Sequence, residues 1–335
     1  MRLPRRRFLR LAIGVAALPI TCRIAHAQSY PTRPVRIVVG FPPAGGADIA
    51  ARLIGQRLSE RLGQPFVIEN RPGAATNLAT EAVARAPADG HTLLLVFTSN
   101  AINATLYHKL NFDFINDIAP VAGIMRTPTV LHANPSLPVR NVPELIGYAK
   151  ANPGKVNMAT GGHGALGHVS GELFKAMTGI NMTHVPYRGD AAALTDLLGG
   201  QVQIHFSGLA SAIETIKAGK TRALAVTTAE RAEALPDVPT VSESLPGYES
   251  SAWFGVGAPR HTPAEVLDTL NKEINAALAD SKLRARLADV GGTVFTGSAA
   301  EFGKFIADET AKWAKVVKFA GLKAEWADPL AVDRS

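Results

Sequence analysis

Phe41-Pro42-Pro43-Ala44-Gly45-Gly46-Ala47-Asp48 follows the β-branched run Val35 to Val39 and leads into a segment with helical periodicity. Thr160-Gly161-Gly162-His163-Gly164-Ala165-Leu166-Gly167-His168 repeats that arrangement between the strand-like Lys155 to Ala159 and the helix-like Leu166 to Met177. Glycines at such a turn let backbone amides approach a ligand, and the helix that follows aims its unpaired N–H groups and positive dipole end at the same point. The two runs lie far enough apart to belong to different lobes. Facing one cleft, they make an anion clamp.

Outward from the first run, Ile49, Ala50, Leu53, Ile54, Leu58 and Leu62 share a helical face. Phe66 to Ile68 reads as the next strand, Asn70-Arg71-Pro72-Gly73 as a turn, and a helix follows to about Ala86. Asp89-Gly90 then turns into the strand Thr92 to Phe97. Strands alternating with helices predict an α/β protein with a mostly parallel sheet in each lobe, covered on both faces. Between Val121 and Asn134 the pattern loosens into apolar segments broken by Pro120, Pro128 and Pro135, which we read as the first crossing between lobes.

The second series comprises a helix from Val142 to Ala151, the second glycine run and its helix, and strands at Met182 to Pro186, Val202 to Phe206 and Ala223 to Val226. A helix at Ala191 to Leu198 lies among them. After a Pro/Gly-rich stretch, Leu235 to Gly247, the strand Ala252 to Val256 leads into a mostly helical remainder. There Phe302, Phe305, Ile306, Trp313, Val316, Val317 and Ala320 recur every three or four positions. This reading makes lobe 1 discontinuous, at 28–127 and 252–335, with lobe 2 at 128–251 and two crossing segments free to hinge.

Residues 1–27 read as a cleaved secretory signal: Arg2, Arg5, Arg6, Arg7 and Arg10, then apolar Leu11 to Ile20, then Ala25-His26-Ala27. Arg5-Arg6-Arg7-Phe8-Leu9-Arg10 resembles a twin-arginine signal, with plain Sec export as the alternative. Either route places the protein in the periplasm. Cys22, the only cysteine, falls inside the signal, so the mature chain has neither a disulfide framework nor a thiolate metal site. The formal charge of +7 is also misleading: taking the six arginines of the signal, Arg23 included, from 35 basic residues leaves 29 against 28 acidic ones. A near-neutral body of this kind carries no footprint for nucleic acid or anionic lipid.

Phe41, Ala44, Gly45 and Gly46 are the first-lobe candidates for ligand contact, and Gly162, His163, Gly164 and Ala165 those of the second. Asp48 either meets a ligand amine or hydroxyl or serves as a carboxylate at a helix start. Ser99 and Asn100, just beyond a strand end, either reach the ligand or cap the next helix. His163, His168, His184 and His205 fall in one lobe without metal-ligand spacing, so no metal is expected, and His168 reads as structural. No nucleophile and base pair marks a catalytic site. Gly162, Gly164 and Gly167 formally make G-x-G-x-x-G, with Asp190 lying 23 residues beyond Gly167, which keeps a dinucleotide-dependent periplasmic oxidoreductase as the alternative.

Seven spaced segments in order resemble the Bug family of periplasmic solute-binding receptors of tripartite tricarboxylate transporters. They are Phe41 to Arg52, Glu69 to Ala74, Ala88 to Leu94, Thr160 to His168, His184 to Gly189, Leu197 to Val202 and Leu235 to Thr240. The resemblance implies a two-lobed type II periplasmic-binding-protein fold closing on a small organic carboxylate or amino acid. It also implies delivery to the membrane permease of the transporter; a ligand-sensing partner for a membrane kinase is a further reading that uses the same pocket, and in each case no cofactor and a monomer are expected. It further implies that the carboxylate is held by amides around Ala44, Gly45, Gly46, Gly162, His163 and Gly164, with Thr160 adding a hydroxyl and Asp48 selecting an amino or hydroxyl group. Two departures stand out: Ala75-Thr76-Asn77 where the family continues with glycines, and His163 where it has a small polar residue.

Overall fold

The computed structural model describes residues 30–43 and 45–324. The expected export signal and Ala44 of the first loop lie outside the described residues.

Val35–Val39 forms β1, buried except at Arg36, and the chain then turns through the first glycine run into α1 (Gly46–Leu62). α1 buries Ala47, Ala50, Ala51, Ile54 and Leu58 and ends at Gly63, whose φ of 72° is left-handed, a conformation glycine adopts without steric cost. β2 (Phe66–Asn70), α2 (Asn77–Ala84), β3 (Thr92–Phe97), α3 (Thr98–Leu106) and α4 (Phe114–Asp117) follow. β2 and β3 flank β1 in parallel register, completing the first βαβ series.

The crossing region is one strand rather than broken segments. β4 (Ile118–Ala133) runs for 16 residues through both Pro120 and Pro128. Proline removes a ladder donor and is tolerated at bulges or where no partner needs that donor. Here the register against the returning strand β9 (Ser251–Pro259) shifts just after Pro120, and Pro128 is the last residue facing β9. From Thr129 onward β4 pairs instead with the second lobe's strands. A local reading sees two chain-breakers; the tertiary pairing places each where its missing N–H matters little.

α5 (Val142–Ala151), β5 (Asn157–Thr160), α6 (Leu166–Thr178), β6 (Thr183–Pro186), α7 (Asp190–Leu198), β7 (Ile204–Gly208), α8 (Leu209–Lys217) and β8 (Arg222–Val226) build the second lobe. After β9 come α9 (Ala264–Leu278), α10 (Ser281–Asp289), the short β10 (Thr293–Val294) and α11 (Ala299–Phe319). The sheet order is β2-β1-β3-β9-β4-β7-β5-β6, with β10 and β8 also on β4. The parallel triplets β2-β1-β3 and β6-β5-β7 are joined through antiparallel β9 and β4, so the sheet as a whole is mixed. Both crossing strands thus sit at its centre.

Each lobe has its own core. Ala50, Ile54 and Leu58 of α1 meet Leu270 and Ile274 of α9 on one face of the first lobe, and Ile102, Leu106, Phe302 and Trp313 fill the other. Leu131, Leu145, Met158, Phe174 and Phe206 fill the second lobe. The fold is a two-lobed α/β architecture, as the alternation of strands and helices requires.

α11 is keyed to the crossing strand by a buried carboxylate. Glu309 Oε2 accepts the indole N–H of Trp253 and that of Trp313, each at 3.0 Å, and Lys312 pairs with its other oxygen. Glu309→Leu strands two buried indole donors, each costing about 1–3 kcal/mol. The urea midpoint is therefore expected to fall clearly; a midpoint equal to wild type contradicts this role for Glu309.

Candidate functional site

Helices α3, α6, α7 and α8 all start at the ends of strands that point toward one cavity of about 460 Å3. Ser99 of α3, Ala165 to Gly167 at the start of α6, Gly189 and Asp190 at α7, and Gly208 before α8 all line it. The first-turn N–H groups of such helices have no partner within the helix and carry partial positive charge. Neither Lys nor Arg is among the lining residues, so what favours an anion here is main chain. Phe41, Phe97, Ile102, Leu106, Phe206 and Ala252 supply the apolar wall. A body of a few methylenes with an anionic end fits these two surfaces.

In the second glycine run, Gly164 N–H is spent on His168 Nδ1 at 3.0 Å and Ala165 N–H on Gly162 O at 3.3 Å. Among the described residues the N–H groups of Gly162 and His163 have no such acceptor. Gly162 has φ 150° and Gly164 φ 72°, and a Cβ on Gly164 would stand 2.5 Å from Leu106 Cδ2. Glycine here lets the second-lobe loop press against α3 of the first lobe. The third glycine of the G-x-G-x-x-G pattern serves packing, because a Cβ on Gly167 would lie 2.3 Å from Phe206 O.

The first lobe presents a different surface from the expected one. Phe41 and Ser99 line the cavity, whereas Gly45, Gly46, Asp48, Asn100 and Thr160 are not among the lining residues. Asp48 is buried and turned toward Arg52 Nε at 2.8 Å and Asn70 Nδ2 at 2.9 Å. Asn100 Oδ1 accepts Phe97 N–H at 2.7 Å, closing the start of α3, while its Nδ2 donates to Thr80 and Thr76. Thr160 Oγ1 bonds His184 Nε2 at 2.6 Å beneath the loop.

Ala75 and Thr76 line the cavity on the first-lobe side in place of Gly45 and Gly46. Ala74, Ala75 and Thr76 have φ of 46°, 52° and 81°, three consecutive side-chain-bearing residues in the left-handed region. Each costs about 1–2 kcal/mol relative to right-handed backbone. The run is held by Asn103 Nδ2 donating to Ala75 O at 2.7 Å and by Thr76 Oγ1 bonding Ser99 Oγ at 3.1 Å. Gly40 makes room for it, since a Cβ there would stand 2.6 Å from Thr76 Cβ. Sequence reasoning noted the bulk of this segment; its backbone conformation depends on Asn103, remote in sequence.

His163, His168 and His184 come together although their spacing follows no ligand motif, with one ring nitrogen of each within 4.8 Å of the others. His168 and His184 stack at 3.6 Å and 8°. Ring lone pairs lie in the ring plane, so two parallel rings aim side by side rather than at one point. A shared metal ion would need one of them to turn. Burial, reinforced by the neighbouring imidazoles and Lys175, pulls His168 down to about 3 and His184 down to about 4. Glu172, 3.8 Å from His168 Nε2, is itself bonded to Lys175 at 2.9 Å. A second cavity, of about 320 Å3, is lined by Arg126, Glu230, Arg231, Glu233 and Glu249, a mixed-charge surface without the converging helix starts.

Residues 50–322 match the family described as tripartite tricarboxylate transporter family receptor. The chain belongs to this receptor family. It is 36% identical over 316 residues to Protein BugT of Bordetella pertussis, covering 93% of this chain and 97% of that one. Rpa4515 of R. palustris, solved with adipate, is 41% identical with a TM-score of 0.76 over 89% of this chain and 100% of that one. MatC of Rhodopseudomonas palustris, solved with malate, is 33% identical with a TM-score of 0.72 over 86% and 100%. Among the described residues of the receptor, no helix is long and apolar enough to cross a membrane.

Two outcomes follow from the geometry around the cleft. Ala75→Gly removes the left-handed penalty at φ 52° and gives back about 0.5–1 kcal/mol of unfolded-chain entropy, so the receptor should melt at an equal or higher temperature. A fall in melting temperature of several degrees would contradict the strain. His168 and His184 are neutral when folded but titrate near 6.5 when unfolded, so the unfolded chain binds more protons below that pH. Their contribution is complete above about pH 6.5 and is lost as pH falls toward 4 and then 3. His168→Asn, whose Oδ1 stands where Nδ1 does and keeps an acceptor for Gly164, should flatten the decline in melting temperature between pH 7 and 4; an unchanged slope overturns the assignment.

Proposed function

We propose that this receptor is exported to the periplasm, captures a small organic carboxylate between its two lobes, and presents the closed form to the membrane permease of a tripartite tricarboxylate transporter. The observation that carries this reading is the convergence of four helix starts on an apolar-walled cavity with no Lys or Arg among the described residues of its lining. Such a site attracts an anion through fixed dipoles and unpaired amides, while its apolar wall suits a short carbon chain. The adipate and malate in two relatives support the same ligand class.

The lobes are taken as 28–127 with 252–335 and 128–251, moving about β4 and the start of β9. A ligand touching Ser99 and Thr76 from one side and Gly162, His163 and Ala165 from the other stabilises the closed form by bridging them. Phe41 flanks the anion, and Gly45 and Gly46 reach it on closure. The receptor acts as a monomer, changes no bond in its ligand, and carries an N-terminal signal of either the Sec or the twin-arginine kind.

The main-chain basis of binding can be tested by deleting one amide. Leu166 is the first residue of α6, a position that tolerates proline, and Ala165 before it has φ −64° and ψ 160°, which suits a pre-proline residue. Leu166→Pro removes an N–H at the cavity, and Leu166→Ala controls for the side chain. Isothermal titration with adipate, succinate and malate should show binding of at least one acid. Its affinity should drop about tenfold or more in the proline variant and little in the alanine one, as for a hydrogen bond to a charged group. Equal affinity in both variants would contradict the reading, as would no binding of any carboxylate to wild type.

A further inference from the structure

Among the described residues, Asp190 is the only acidic one lining the cavity, in a site whose other features favour an anion. Its placement is built rather than incidental. It opens α7 immediately after Gly189, whose φ of 101° is a glycine conformation. Oδ2 accepts Gly208 N–H at 3.3 Å, tying the carboxylate to the end of β7. Oδ1 occupies the space beside Gly161, where a Cβ would stand 2.6 Å away, so that glycine leaves the oxygen uncovered. Behind it lies His205, fully buried, with Nε2 3.4 Å from Oδ1 but without hydrogen-bond geometry, and with no partner for either ring nitrogen. A buried imidazole left unpartnered costs stability unless something completes the arrangement.

No Lys or Arg pairs with Asp190 among the described residues, where its carboxylate lies beside Gly208 N–H and the His205 ring. A ligand carboxylate placed beside it would meet like charge in a partly dry cleft, which is unfavourable. A ligand hydroxyl or ammonium placed there would donate to Oδ1 while its carboxylate stays on the helix starts. We infer that Asp190 is the specificity-determining residue of the cleft, restricting the receptor to carboxylates that also carry a hydrogen-bond donor, that is hydroxy or amino acids, over their unsubstituted analogues. This rests on the carboxylate-receptor reading above. It moves to Asp190 the selecting role that the family resemblance implies for Asp48, whose carboxylate is engaged by Arg52 and Asn70.

The test is a set of matched pairs measured by isothermal titration: succinate with malate and aspartate, glutarate with 2-hydroxyglutarate and glutamate, adipate with 2-aminoadipate. At the chain length that binds best, a donor-bearing acid should bind at least about tenfold tighter than the unsubstituted one, since a site group built to accept a hydrogen bond from the ligand discriminates against an analogue that lacks the donor. In Asp190→Asn and Asp190→Ser that preference should change at least about tenfold between ammonium and unsubstituted ligands, with the unsubstituted acid held as well or better. Serine is a favoured residue at a helix start, so it guards against a folding defect in the other variant. An unsubstituted acid binding as tightly as its donor-bearing partners in wild type overturns the inference and leaves the receptor reading standing. So does a preference unaltered in both variants. If no acid of any kind binds, the receptor reading itself fails, and the inference with it.

Discussion

The arrangement of this cleft depends on holding unpaired main-chain N–H groups in one place, with no Lys or Arg among the described residues that line it. A lysine or arginine would attract anions through a flexible side chain carrying a full charge. Helix starts supply a smaller charge in fixed positions, backed by the strands and cores that fix each helix. This explains why the structure spends so much on the loops. Gly162 and Gly164 adopt backbone that other residues resist, Ala74 to Thr76 are held left-handed by Asn103, Asn100 and Ser99, and Asn100 closes the start of α3. All of these features set the direction in which amides point.

The same logic connects the cleft to the hinge. β4 gives its first part to β9 and its last part to β7 and β8, so one strand belongs to both lobes. The residues at that handover, Thr127 to Thr129, line the cavity. Beside the handover, on the first-lobe side, Thr98 Oγ1 accepts Trp253 N–H at 2.9 Å, and Trp253 is in turn fixed through Glu309 to α11. A ligand seated on α3 and α6 therefore acts close to the strands about which the lobes would turn.

Much of this was legible in the sequence, for identifiable reasons. The alternation of apolar runs and helical periodicities around the two glycine runs is local, and it gave the βα series, the helical tail and the cleft at the second run. Contacts set by distant pairing were not legible. Pro120 and Pro128 looked like interruptions because their compensation comes from the register with β9. The histidine group depends on β6 lying beside β5, which puts His184 opposite Met158 and under the first turn of α6. Asp48 carried the right chemistry for a selector, yet Arg52 one turn along its own helix and Asn70 on β2 engage it. That Arg52 partner was visible at i+4 spacing; Asp190 stood out only through its spacing from the G-x-G-x-x-G pattern, because its neighbours Gly161, Gly208 and His205 come from three separate loops and strands.

The central claim is that backbone amides at helix starts in both lobes hold the anion, and amide-resolved NMR tests it most directly. Titrating the 15N-labelled receptor with a carboxylate that binds should move the amide protons of Ser99, Gly162, His163 and Leu166 downfield together, saturating at one concentration. Saturable binding that leaves those four amides in place, or that moves those of one lobe alone, would contradict the account.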